Sequence, residues 1–121
     1  MNAVLRRLHS PDVQDLPSWK PPGSSFGILV QALIGPADSR GEESFEITVC
    51  SPEWLRDRAA ERQTIDLRHH ILQSAFNYDA LEGLIKRRIG QASGSTWLEV
   101  AARLRQIGHW EFEDLDLSER Q

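Results

Sequence analysis

The stretch Gly41 to Leu55, GEESFEITVCSPEWL, constrains the fold more than any other part of the chain. Phe45, Ile47 and Val49 alternate with Ser44, Glu46 and Thr48. A period of two places the apolar set on one face of a strand and the polar set on the other. Ser51-Pro52-Glu53 then turns the chain into a helix. A serine hydroxyl accepts from an N–H at a helix start, proline loses nothing at the first helical position, and an acid suits the positive end of the helix dipole. One short segment therefore specifies a strand, a corner and a helix.

The preceding segments complete a sheet. In Phe26 to Ile34, Phe26, Ile28, Val30, Ala32 and Ile34 share one face, and Leu29 and Leu33 share the other with Gln31. A strand apolar on both faces belongs in the middle of a sheet. Gly35-Pro36 is expected to end it and Ala37 to Gly41 to form a polar turn. Phe26 to Ile34 and Glu43 to Cys50 then make an antiparallel hairpin. Ala3 to Ser10 reads as another strand. The connection Pro11 to Ser25 carries Pro11, Pro17, Pro21, Pro22 and Gly23, which exclude helix and central strand alike. Trp19 is expected to pin it by packing.

Three helices follow. The first covers about Pro52 to Gln63, with Trp54, Leu55 and Ala59 inward. The second opens on Asp79 and Glu82, spaced as a capping box, and continues through Leu81, Leu84, Ile85 and Ile89. Lys86, Arg87 and Arg88 complement its C-terminal dipole, and Gly90 to Gly94 ends it. The third opens on a Thr96–Glu99 box, carries the apolar stripe Trp97, Val100, Ala101, Leu104 and Ile107, and stops at Gly108. Between the first two, His69 to Phe76 fits a helix or a strand, and the lack of a cap favours the strand. Trp110 to Glu113 alternates again, and 115–121 reads as a frayed tail. This order indicates an α+β fold: an antiparallel sheet of about four strands with three helices mainly on one face. A length of 121 residues fits a single domain, 1–121.

The lone cysteine, Cys50, excludes an internal disulfide framework and fits a reducing compartment. No run approaches the ~20 apolar residues of a membrane span, and the start MNAVLRRLHS lacks a signal-peptide core. A cytoplasmic protein is expected, with no membrane association. The net charge of −4 is unevenly spread. Asp38, Glu42, Glu43, Glu46 and Glu53 cluster against Arg40 alone, and Glu111, Glu113, Asp114, Asp116 and Glu119 against Arg120 alone. Positive charge concentrates in Arg56 to Arg68 and Lys86 to Arg105. The acidic balance disfavours nucleic acid and favours basic partners.

Catalytic patterns are weak. Adjacent side chains on a strand point to opposite faces, so His69 and His70 do not share a metal easily, and neither C-x-x-C nor H-E-x-x-H accompanies them. His9 and His109 are isolated in sequence. Cys50 could serve as a nucleophile with a histidine base, but a strand-end cysteine is more often a buried filler. Gly90-x-x-x-Gly94 lacks the lysine of a phosphate loop. No catalytic residue, cofactor or metal site is assigned. Of four tryptophans, Trp54 and Trp97 fall on apolar helix faces and are expected in the core. Trp19 and Trp110 lie outside the regular elements. Each either seals an end of the core or, ringed by acids, forms a binding hot spot.

Several pieces in order resemble the immunity protein 8 family of bacterial polymorphic toxin systems: HSPD at His9 to Asp12, FGILVQALIGP at Phe26 to Pro36, GEESFEITVCSPEWL, RHHIL at Arg68 to Leu72, and TWLEVAARLRQIGHWEFED at Thr96 to Asp114. The resemblance implies a cytosolic inhibitor that binds the catalytic domain of a cognate secreted toxin by stoichiometric occlusion and protects the producing cell. It implies no enzyme activity and carries no catalytic residues. Glu42, Glu43, Trp110, Glu111, Glu113 and Asp114 are the candidate toxin-binding residues, on a monomer or weak homodimer. The alternatives are a small hydrolase or transferase using Cys50 or a histidine with a carboxylate, and a structural or regulatory dimer module.

Overall fold

Alternating apolar residues build the sheet. The computed structural model describes residues 1–110. Its strands are Ala3–His9 (β1), Gly27–Pro36 (β2), Glu43–Cys50 (β3), His70–Leu72 (β4) and His109–Trp110 (β5). Its helices are Pro52–Arg62 (α1), Tyr78–Gly90 (α2) and Trp97–Leu104 (α3). The sheet order is β1-β2-β3-β4, and β5 also pairs with β3. β4 runs parallel to Thr48–Cys50, while β5 runs antiparallel against Phe45 and Glu46. Two short strands thus share one edge of β3, end to end. The α+β class stands, with five strands instead of about four. The β3–β4 pair is parallel because α1 provides the crossover that a parallel neighbour requires.

Register explains the core. Ile28 pairs with Val49, Val30 with Ile47 and Ala32 with Phe45, so one face gathers the apolar positions of both strands. Val30, Ala32, Phe45, Ile47 and Val49 are fully buried there. Leu81, Ile85 and Ile89 of α2 and Val100, Ala101 and Leu104 of α3 complete the same cluster. Each large aliphatic side chain among them contributes about 1.5–3 kcal/mol on burial. Trp19 pins the proline-rich connection, its ring edge-on to Phe26 at 5.9 Å and Phe76 at 5.0 Å.

Four features differ from the expectation. Gly35-Pro36 does not break β2 but forms its last two residues: Val4 pairs with Gly35 and Ala3 with Pro36, beyond the last β3 pair at Ile34–Glu43. The missing proline N–H falls where β2 has a neighbour on one side only, and a side chain on Gly35 would strike the Gly41 carbonyl. The α2 cap is Asn77, whose side chain accepts from the Ala80 N–H at 3.0 Å, and Asp79 merely occupies the first turn. α3 ends at Leu104, although Ile107 remains buried in the turn that follows. The Thr96–Glu99 box is in place: Thr96 accepts from the Glu99 N–H at 3.2 Å and Glu99 accepts from the Ser95 N–H at 2.7 Å. The expected strand at Trp110 to Glu113 begins as β5; its remainder and the 115–121 tail lie outside the described residues.

The fourth difference is the largest. No residue of α1 is buried, and Trp54, Leu55 and Ala59 are half-buried. α1 does not join the other helices. Gly27 pairs with Cys50, so both address the face opposite Val49, and a side chain on Gly27 would overlap the Trp54 indole. α1 therefore lies over the second face of the sheet.

Candidate functional site

The second face carries Gln31 of β2 and Ser44, Glu46 and Thr48 of β3, all half-buried. Two features on or beside it matter: an acidic end at the β2–β3 connection and a groove beneath α1.

The acidic end is held firmly. The Arg6 guanidinium donates to the carbonyls of Pro36 and Ser39, each at 2.6 Å, and ties the connection to β1. Glu42 is exposed beyond it. Glu43 is half-buried and accepts from Trp97 Nε1 at 2.8 Å, so its carboxylate joins β3 to α3. Trp97 is accordingly half-buried, packed against the edge of the core with its indole N–H tied to Glu43. Trp110 is 2% exposed and stacks on Phe45 at 6.3 Å between centroids. Its ring seals the core behind the acidic end and is not an exposed hot spot. Glu111, Glu113 and Asp114 lie outside the described residues. Glu46, absent from the candidate set, stands on the second face opposite Gln31 and His109. Its place on the polar side of the β3 alternation was the signal for it.

The groove depends on Ser51. This residue is fully buried, and its hydroxyl accepts from the Phe26 N–H at 3.0 Å and the Trp54 N–H at 3.3 Å. One side chain thus caps α1 and fastens it to the start of β2. Trp54, Arg58 and Arg62 follow at four-residue spacing, one face of a helix. With Thr48, His70 and residues 64–66 they line a groove of about 380 Å3.

The nucleophile candidates are differently employed. Cys50 is fully buried, and burial raises its thiol above the usual range, which keeps it protonated and unreactive. His69 Nε2 lies 2.5 Å from the Arg105 carbonyl and His70 Nδ1 2.9 Å from the Arg68 carbonyl, positions only a ring N–H satisfies. A cavity of about 70 Å3 beside them holds Arg88 and Gln106 but neither Cys50 nor an acid. Folding does bring His69 and His109 together, ring centroids 6.0 Å apart, a juxtaposition set by the shared β3 edge and invisible in the sequence. Among the described residues, no group of three or more His, Cys, Asp or Glu side chains is placed to hold a metal ion.

Among the described residues, no helix is long and apolar enough to cross a membrane. Comparison with known proteins returns no matching curated protein and no matching solved structure. The sequence profile described as Immunity protein 8, however, matches residues 3–115. That span takes in every strand and helix described above, including the β3–α1 corner and both caps of the later helices. The chain belongs to the Immunity protein 8 family.

Proposed function

We propose that this protein neutralises a cognate secreted toxin of a bacterial polymorphic toxin system by binding its catalytic domain stoichiometrically in the cytoplasm of the producing cell. The observation that carries the reading is the family match over residues 3–115. The buried Cys50 and the carbonyl-bound His69 and His70 suit a binding protein better than an enzyme. The protein acts without turnover, as a monomer or weak homodimer.

The proposed contact residues are Glu42 and Glu43 at the acidic end, together with Trp110, Glu111, Glu113 and Asp114. Trp110, buried and stacked on Phe45, serves this surface from within the core. Acidic side chains set beside a basic catalytic cleft speed the encounter through complementary charge. The test co-expresses the protein with the toxin domain encoded beside it, then measures association rates against salt. Glu42→Lys with Glu111→Lys is expected to slow association and flatten its salt dependence. Unchanged rates and undiminished protection would remove this surface from the interface. Failure of the wild-type protein to protect cells would remove the function itself.

A further inference from the structure

α1 is built as a recognition element. It buries none of its residues, yet Ser51 bonds it to the start of β2 and Gly27 lets Trp54 approach the sheet closely. Its groove-lining stripe is Trp54, Arg58 and Arg62, the first two half-buried and the last exposed, with half-buried Leu55 and Ala59 beside them. The Arg58 guanidinium lies 4.9 Å from the Trp54 ring centroid. A guanidinium over an indole keeps its N–H donors in one plane, and a planar fork of that kind can take a carboxylate in bidentate fashion. Because Gly27 packs against the same indole, the ring is engaged by the protein's own groups, and the guanidinium edges are what the groove offers. Arg62 repeats the charge one helical turn on, about 5–6 Å along. Among the described residues, neither Arg58 nor Arg62 forms an ion pair. The rim acid, Asp66, already accepts from the Arg68 backbone N–H at 3.0 Å.

The rim is held under strain. Gln63 (φ 64°) and His69 (φ 62°) bracket the connection that lines the groove, and neither is glycine. A left-handed non-glycine residue costs about 1–2 kcal/mol and persists where its surroundings hold it in place. Here the Gln63 N–H donates to the Ala59 carbonyl at 2.7 Å, and the His69 ring is fixed to Arg105.

We propose that the groove between α1 and β3–β4 is a docking cleft for an acidic segment of the toxin partner, with Arg58 and Arg62 each taking a carboxylate. This assignment rests on the neutralisation reading and names the chemistry of the partner. The charge of the lining supports it: Arg58 and Arg62 stand against the single carboxylate of Asp66, in a chain that carries −4 overall, so an acidic segment is the complementary occupant. Glu46 shares the same sheet face, two positions along β3 from Thr48. The face therefore grades from acid to arginine and accepts a partner that shows basic and acidic surfaces side by side, in one orientation. Asp57 and Glu61 on the same helix oppose a continuous phosphate backbone, which argues against nucleic acid as the occupant.

The test uses the full chain and two readouts. In the first, the double variant Arg58→Glu, Arg62→Glu is expected to dissociate from the toxin catalytic domain about ten-fold faster or more, with its native circular dichroism spectrum retained. Arg58→Gln with Arg62→Gln moves in the same direction and guards against misfolding of the reversed variant. In the second, an acetylated, amidated hexaglutamate is titrated while the arginine Nε and Trp54 Nε1 NMR signals are followed. Shifts confined to Trp54, Arg58 and Arg62, absent from the variants, support the cleft. An oligothymidylate of equal charge that shifts these signals as strongly overturns it. Unchanged dissociation of both double variants also overturns it while leaving neutralisation intact, whereas a wild-type protein that does not bind the toxin domain overturns neutralisation itself.

Discussion

Replacing Ser51 by alanine tests the physics of the β3–α1 corner directly. The hydroxyl accepts from two backbone donors, Trp54 N–H in the first turn of α1 and Phe26 N–H at the start of β2. Loss of a helix cap costs about 1 kcal/mol. Ser51 is fully buried and Phe26 is 5% exposed, so water does not replace the second bond. A buried N–H left without an acceptor adds about 1–3 kcal/mol. The total is about 2–4 kcal/mol, or roughly 8–15 °C in melting temperature for a domain of this size. The protein supplies its own controls. Asn77 and Thr96 cap α2 and α3 with the same chemistry but are exposed, so N–H groups freed by Asn77→Ala or Thr96→Ala turn to water. Those variants should each lose about 1 kcal/mol. Urea unfolding followed by circular dichroism compares all three. A Ser51→Ala loss no larger than that of Thr96→Ala would refute the claim that one hydroxyl secures both elements.

Other perturbations follow from named contacts. Trp97→Phe removes the indole bond to Glu43 and should cost about 1–2 kcal/mol, and a double-mutant cycle with Glu43→Gln should show the two positions coupled. Gly27→Ala forces a methyl into the Trp54 indole and should destabilise by about 1–3 kcal/mol; the penalty should shrink in a Trp54→Ala background, as measured by thermal melts. Burial raises the Cys50 thiol, so the fold favours its protonated form. That contribution is full below about pH 8.5 and is lost as pH rises through the higher folded value. Native protein should therefore react with a thiol reagent at pH 8 only as fast as it opens, and rapid modification without unfolding would contradict the burial.

Much of the fold was legible because local pattern and environment agree. β3 occupies Glu43–Cys50, as its alternation indicates, because its two faces meet different surroundings. Thr96 and Glu99 start α3 because both halves of their box are satisfied within the same turn. The errors fall where a distant partner decides. Gly35-Pro36 extends β2 only because β1 reaches that far. Asn77 takes the cap that Asp79 could have taken, since both spacings suit a helix start and the approach of the chain selects between them. The brevity and parallel direction of β4 are fixed by β3, three of whose backbone positions it meets.

The site was legible only in part, and for one physical reason. A tryptophan on a helix signals burial, but not which face of the sheet buries it. Trp54, Leu55 and Ala59 pass for an apolar stripe and so point Trp54 to the core. The four-residue series Trp54, Arg58, Arg62 contradicts that assignment, since a helix turned toward the core would bury two guanidiniums without partners, a penalty of several kcal/mol. α1 had to lie elsewhere, over a face that leaves those charges reachable by solvent or by a partner, and Gly27 is the position on the opposing strand that makes room for it. Glycine in an otherwise apolar strand run marks a close approach of this kind. Taken together, the arginine spacing and that glycine place a charged helix on the outer face of the sheet, and the groove between them follows.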